Sequence, residues 1–191
     1  DGWVDLFVVN GTGAASELWR NEGGTFVDGA AAAGIADIFD NLDGYSIASA
    51  DIDHDGDIDI YLGARPHDTL LVNQGNGTFI DGTAAAGAGG PAIGQPGAAS
   101  KIVSFGDFDG DGYMDVLSAS FGDDTIAWYE NDGSQGFTER ILTTQAFYAA
   151  SVHAADVDGD GDLDVLSASG NDDTIAWYEQ ALPTATIGGD A

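Results

Sequence analysis

The sequence predicts an all-β fold, a β-propeller-type array of about four blade-like, four-stranded repeats. The first observation is repetition, since "DVLSAS" occurs at 115–120 and 164–169, and "DDTIAWYE" occurs at 123–130 and 172–179. The second is the period of roughly 50 residues, which is typical of propellers and other repeat arrays. The third is that each unit holds about four short strand-like segments between Gly, Asn and Asp clusters, the content of one propeller blade.

The repeats divide the 191 residues into four units of a single repeat domain. Their approximate bounds are 1–36, 37–90, 100–148 and 149–181, and residues 182–191 are a C-terminal tail or strand that could complete the first repeat. The Gly/Pro-rich segment at 87–99 is the best candidate for a linker. Ala-rich stretches at 29–36 and 83–90 are interrupted by Gly, so we interpret them as loops between blades.

The third unit illustrates the strand pattern. Its segments "KIVSFGDF", "MDVLSAS", "DTIAWYEN" and "GFTERILTT" are rich in β-branched and apolar residues, and an acidic loop joins the first two. In "IAWYE", which occurs twice, alternation places Trp and Tyr on opposite faces of the strand. We expect one ring to pack between blades and the other to be partly exposed, while a sugar-stacking platform is the alternative. The residues concerned are Trp128, Tyr129, Trp177 and Tyr178.

The charge of the chain excludes several partners. There are 33 Asp+Glu against 4 Lys+Arg, a formal net charge of -29. So few cations argue against binding to nucleic acid or anionic lipid, and no apolar run is long enough for membrane insertion. The self-repulsion of so many carboxylates opposes compaction, so metal cations or high salt must neutralise them.

Aspartates recur at a fixed spacing, D-x-D-x-D-G-x-x-D, in three loops. Ca²⁺ binds six to eight oxygen ligands, and carboxylates at positions 1, 3, 5 and 9 of a tight loop can face one centre. The Gly at position 6 permits the sharp turn, and the varied residue at position 7 would contribute its carbonyl oxygen. The candidate ligands are Asp51, Asp53, Asp55, Asp57 and Asp59; Asp107, Asp109, Asp111, Tyr113 and Asp115; and Asp156, Asp158, Asp160, Asp162 and Asp164.

These loops differ from EF-hand and dockerin loops, which need an acid at position 12. Position 12 here is Leu62, Ser118 or Ser167, and the flanking segments have strand patterns rather than helical ones. The segments "GDFDGDGYMDVL", "ADVDGDGDLDVL" and "IAWYEN" instead resemble the FG-GAP/VCBS repeat family, whose integrin-α-like propeller blades carry Ca²⁺ in such a hairpin loop. The resemblance covers essentially the whole chain, and it implies a propeller-type fold and structural Ca²⁺ but no specific ligand.

The chain starts inside a loop of this kind. Asp1, Trp3 and Asp5 match positions 5, 7 and 9, and the C-terminal Asp190 would supply position 3 if the two ends were joined. A fourth Ca²⁺ site would then form beside the three complete loops. The tail could close the chain's own ring, enter the next subunit of a head-to-tail filament, or be a cut end of a longer array.

Catalysis is not indicated. The three histidines, His54, His67 and His153, form no known catalytic motif, and the absence of Cys excludes a Cys nucleophile. The chain has enough acidic residues to supply a pair of carboxylates for glycoside hydrolysis, but these residues are concentrated at metal-ligand spacing. We therefore expect a protein that is not an enzyme.

Together these features predict a Ca²⁺-stabilised structural or adhesion protein that is secreted or held at the cell surface. Extracellular Ca²⁺ is abundant enough for the weak affinities of extracellular modules. We predict that its partner is another copy of the chain, bound head to tail through the C-terminal strand. The alternative function is a propeller domain of a larger surface protein that binds glycans or other surface proteins.

Overall fold

The computed structural model describes residues 2–11, 14–39, 42–65, 67–86 and 100–180. In these residues the chain forms short β-strands and two single helical turns. The strands are β1 Leu6–Val8, β2 Glu17–Asn21, β3 Phe26–Asp28, β4 Asp43–Ala50, β5 Asp59–Arg65, β6 Thr69–Asn73, β7 Phe79–Asp81, β8 Ser100–Gly106, β9 Asp115–Ser120, β10 Thr125–Asn131, β11 Phe137–Thr143, β12 Ala149–Ala155, β13 Asp164–Ser169 and β14 Thr174–Tyr178; the helical turns are α1 Ala36–Phe39 and α2 Thr83–Ala86.

The strands form four antiparallel sheets, and within each sheet neighbouring strands are consecutive in the chain. The first sheet holds β1 to β3, the second β4 to β7, the third β8 to β11 and the fourth β12 to β14. This up-and-down order follows from short connections, because a turn of a few residues can join only adjacent antiparallel strands. Among the described residues the second and third sheets have four strands, and the first and fourth have three.

Consecutive sheets pack face to face on apolar cores. Leu18, Phe39 and Leu71 belong to the core between the first two sheets. Tyr61 and Val116 are among the residues of the core between the second and third sheets, and Phe108, Trp128 and Val165 are among those between the third and fourth. Among the described residues, the second and third repeats therefore bury apolar faces against both neighbours, and the first and fourth against one.

The predicted all-β class is confirmed, and the sheets are blade-like, open meanders. One local prediction was wrong, because the Ala-rich stretch from 83 begins with the helical turn α2 rather than a loop. The Asp81 carboxylate accepts the Thr83 N–H at 2.9 Å, and the Thr83 hydroxyl accepts the Leu70 N–H at 3.0 Å, which fixes the start of the turn. The predicted linker at 87–99 and the tail at 182–191 lie outside the described residues.

Neither helical turn is long or apolar enough to cross a membrane.

Candidate metal centre

The three acidic loops connect the first two strands of the second, third and fourth sheets. In each loop the residue before position 1 pairs across the ladder with the aspartate at position 9: Ala50 with Asp59, Gly106 with Asp115, and Ala155 with Asp164. The hairpin itself therefore brings the two ends of each loop together. The Gly at position 6 has a φ between 91° and 99° in all three loops, a left-handed conformation that a side chain would strain.

Each loop gathers three carboxylates that could hold one metal ion. In every cluster the potential ligand atoms lie within 4.8 Å of one another. The aspartate at position 9 is buried in all three clusters, whereas those at positions 1 and 3 are half-buried in the first two and exposed in the last. The clusters are Asp51, Asp53 and Asp59; Asp107, Asp109 and Asp115; and Asp156, Asp158 and Asp164.

The position-5 aspartates, Asp55, Asp111 and Asp160, are not part of these clusters. Their carboxylates accept the N–H of position 7 instead, at distances from 2.8 to 3.0 Å. The donors are Asp57, Tyr113 and Asp162, whose carbonyl oxygens were the predicted ligands, so the carbonyl role stays a prediction.

The buried position-9 aspartates also shape the fold. In the third repeat, Asp115 Oδ2 accepts the N–H of Phe108 at 2.8 Å and Asp115 Oδ1 accepts the N–H of Asn131 at 2.7 Å. Asp59 and Asp164 accept the corresponding pairs of N–H groups in their repeats. The position-9 carboxylate therefore ties the loop to the end of the third strand, besides facing the cluster.

Among the described residues, four buried side-chain oxygens lack a hydrogen-bond partner: three are hydroxyls, and the fourth, Asp51 Oδ1, is a carboxylate oxygen of the cluster at 51–59. In the other two loops the Oδ1 atom of the position-1 aspartate accepts the N–H of the position-4 glycine, at 2.8 and 2.7 Å. His54 stands at position 4 here, and no hydrogen bond reaches the buried Asp51 Oδ1. An unpaired buried carboxylate oxygen is costly, and a cation would satisfy it. The residues present therefore fit a bound metal ion.

The half-loop at the start of the chain is described only in part. Asp5 Oδ1 accepts the N–H of Asn21 at 2.8 Å, the same bond that position 9 makes in the complete loops, and 56% of Trp3 is exposed. Asp1 and Asp190 lie outside the described residues, so the proposed joining of the two ends is untested.

The sequence carried a signal that our predictions missed. An Asn ends the third strand of the second and third sheets, as Asn73 and Asn131, and the second strand of the first sheet, as Asn21; Gln180 follows the third strand of the fourth sheet. These are the residues whose N–H groups bind the position-9 carboxylates. Their recurrence in phase with the loops could have identified them.

The paired aromatic residues behave differently in the two repeats. Trp128 and Tyr129 on β10 are both buried, with exposures of 9% and 4%, because β10 is a central strand between two neighbouring sheets. The expectation that one of them is partly exposed is wrong for this strand. On β14, Trp177 is 48% exposed.

The buried carboxylates make the metal-free protein sensitive to pH. Burial raises the pKa of Asp59 to about 6 and that of Asp115 to about 7, from an ordinary value of 3.8. The folded state then holds these protons more tightly than the unfolded state, so the stabilisation is full below pH 4 and is lost as the pH rises to about 7. We expect the melting temperature in EDTA to fall across this window.

Calorimetry at constant ionic strength would measure this pH dependence. The variant Asp115→Asn should show a flatter decline between pH 4 and 7, although it is less stable throughout. An equally steep decline in the variant would contradict the role of Asp115, and Asp123→Asn, at an exposed site of the same repeat, controls for the change in net charge.

Comparison with protein families gives a match along most of the chain. The model of the FG-GAP-like repeat matches residues 1–62, 51–118 and 107–167. The second and third matches begin at position 1 of an acidic loop, and all three end beyond the following loop. No curated protein matches the chain.

Among solved structures, one similar chain is a lectin of Agrocybe aegerita, whose structure is described as the basis of specific recognition of non-reducing terminal N-acetylglucosamine. Its identity to this chain is 19% and the TM-score is 0.47. The match covers 86% of this chain and 46% of the lectin, so the chain spans about half of the lectin's length.

Proposed function

The chain belongs to the FG-GAP-like repeat family, and from that premise we propose that it is a Ca²⁺-stabilised structural or adhesion domain that acts outside the cell. In this proposal the four sheets are blades of a propeller-type array, and the domain is not an enzyme. The observation that supports this proposal is that three successive sheets each carry a carboxylate cluster at the hairpin between their first two strands.

Ca²⁺ is the ion that suits these clusters. Each offers only carboxylate oxygens, without His or Cys, which favours a hard cation over zinc or copper. In the loop at 51–59, Asp51, Asp53 and Asp59 would hold the ion, and the unpaired Asp51 Oδ1 would gain a partner. The bound ion would supply positive charge that offsets repulsion among the acids, so its role is structural.

Ca²⁺ binding is directly testable by isothermal titration calorimetry. We expect one site in each of the three complete loops, with dissociation constants of about 0.1–1 mM, the range of extracellular modules. The double variant Asp107→Asn/Asp109→Asn should lose one site and keep two. No binding to the wild-type chain would reject the metal function, and Mg²⁺ as titrant serves as the selectivity control.

We also propose that copies of the chain associate head to tail. Segment 182–191, which lies outside the described residues, would complete the half-loop of the next copy, with Asp190 joining Asp1, Trp3 and Asp5. Support comes from Asp5, which binds Asn21 as position 9 does in complete loops. Light scattering with and without Ca²⁺ tests this: growth of polymers with Ca²⁺ supports it, and a monomer under both conditions rejects it.

A binding domain for glycans or surface proteins is the second candidate, favoured by an aromatic cluster at the strand ends opposite the acidic loops. Tyr45 lies on β4 of the second sheet, Phe121 directly follows β9 of the third, and Tyr148 directly precedes β12 of the fourth. The Phe121 ring centroid is 5.4 Å from that of Tyr45 and 5.7 Å from that of Tyr148. Tyr45 and Tyr148 are 38% and 40% exposed, and aromatic faces of this kind stack on sugar rings. A glycan array tests it, with Tyr148→Ala expected to abolish any specific signal.

A further inference from the structure

The third repeat reaches into the acidic loop of the second. Gln135 lies in the turn between β10 and β11, and its Nε2 donates to Asp53 Oδ2 at 2.5 Å. The two residues are 82 positions apart in the chain. Asp53 is the position-3 member of the carboxylate cluster at 51–59, so a residue of one repeat contacts a candidate metal ligand of another.

Two further contacts join the same loop to the third repeat. The buried Asn131 donates from Nδ2 to the carbonyl oxygen of Ile52 at 2.8 Å. The His54 ring stacks on Tyr113 with a centroid distance of 4.7 Å and an interplanar angle of 23°. Positions 2, 3 and 4 of the loop therefore each meet the third repeat, and the loop is held on one side by a neighbouring sheet.

The turn that carries Gln135 is itself constrained. Gln135 has a φ of 64°, a left-handed conformation that is unfavourable for a residue other than Gly. The Asp132 N–H donates to the Gly136 carbonyl oxygen at 2.9 Å, and Asp132 Oδ1 accepts the Ser134 N–H at 2.8 Å. These bonds offset the strain and fix where the Gln135 side chain begins, so the turn itself directs the Gln135 amide at Asp53.

We infer that Gln135 is a positioning residue for the metal site at 51–59, which is therefore built jointly by two repeats. The inference rests on the proposed Ca²⁺ function. A donor on the carboxylate of a metal ligand fixes its orientation, and loss of such a partner typically lowers metal affinity by 10–100-fold. The same link makes Ca²⁺ binding at this loop tighten the interface between the second and third repeats.

Glycine amides provide one reporter for each site. Gly56, Gly112 and Gly161 stand at position 6 of the three loops, and each donates to the position-1 aspartate of its own loop. Titration of the ¹⁵N-labelled full chain with Ca²⁺, followed by NMR, gives a separate midpoint for each amide.

The test compares wild type with Gln135→Met, which keeps the length of the side chain and removes the donor. We expect the Gly56 midpoint to rise about tenfold and the Gly161 midpoint to stay within twofold. An unchanged Gly56 midpoint, or an equal rise at all three glycines, would overturn the inference. Gln145→Met, at an exposed glutamine of the same repeat, is the matched control and should leave every midpoint unchanged.

The wild-type chain supplies a second measurement if the variant does not fold. The side-chain amide signals of Gln135 should shift during the titration with the same midpoint as Gly56. If the Gln135 signals do not respond while the Gly56 signal does, the role of Gln135 is rejected and the proposed Ca²⁺ function is not. A wild-type spectrum in which none of the three glycines responds would instead reject the Ca²⁺ function on which the inference rests.

Discussion

We expect removal of Ca²⁺ with excess EDTA to lower the melting temperature of the protein by about 10 °C. Each of three sites at a free Ca²⁺ concentration about tenfold above its dissociation constant stabilises the folded state by about 1.4 kcal/mol, or about 4 kcal/mol together. For a chain of this length, 1 kcal/mol corresponds to about 2–4 °C. Without the ions, three clusters of close carboxylates repel one another in a chain of net charge -29.

Differential scanning calorimetry at matched ionic strength would measure this change. NaCl in place of CaCl₂ separates specific binding from general screening, because only bound ions act at millimolar concentration. Asp109→Asn should reduce the difference in melting temperature between Ca²⁺ and EDTA by about a third. Asp123→Asn makes the same change in charge outside the three clusters and should not reduce it. Equal melting temperatures in Ca²⁺ and EDTA would refute the structural role of the metal.

The second large effect is expected at Asn131. Its side chain donates to the carbonyl oxygens of Ile52 and Met114 and accepts the N–H of Gly133, and the residue is fully buried. Asn131→Ala would leave three polar backbone groups without this partner, at about 1–3 kcal/mol for each group that water cannot reach. We expect a loss of about 4 kcal/mol in the free energy of unfolding.

Asn73→Ala is the matched control for this variant. Asn73 occupies the same place in the second repeat, but within the described part of the chain its side chain bonds only to Ile58 and Gly75, and both bonds are exposed. Water can replace them, so the expected loss is about 1 kcal/mol. Urea unfolding of both variants would measure the difference, and equal losses would contradict a special contribution from the bond between repeats.

Local features of this protein could be predicted from its sequence. Strands such as "DVLSAS" contain β-branched and apolar residues and recur, and the D-x-D-x-D-G-x-x-D spacing constrains a turn by itself, so the sheets and carboxylate clusters follow from short-range patterns. Neither kind of pattern depends on how the repeats are placed relative to one another.

The contacts between repeats could not be predicted in this way. Gln135 and Asp53 are 82 positions apart, and nothing near either residue indicates that the two side chains meet. The pairing depends on how the third sheet packs on the second, which is a property of the cores. The burial of both Trp128 and Tyr129 has the same origin, since strand alternation cannot tell a sheet covered on both faces from one covered on a single face.

The serial arrangement of the cores has a mechanical consequence. Each described core joins one sheet to the next, and none of the three joins the fourth sheet to the first. Across the described residues, a pulling force would therefore act on one interface after another, with nearest-neighbour coupling as in solenoid proteins. Rupture of one interface exposes a single core and leaves the others intact. The array should extend under load in discrete steps.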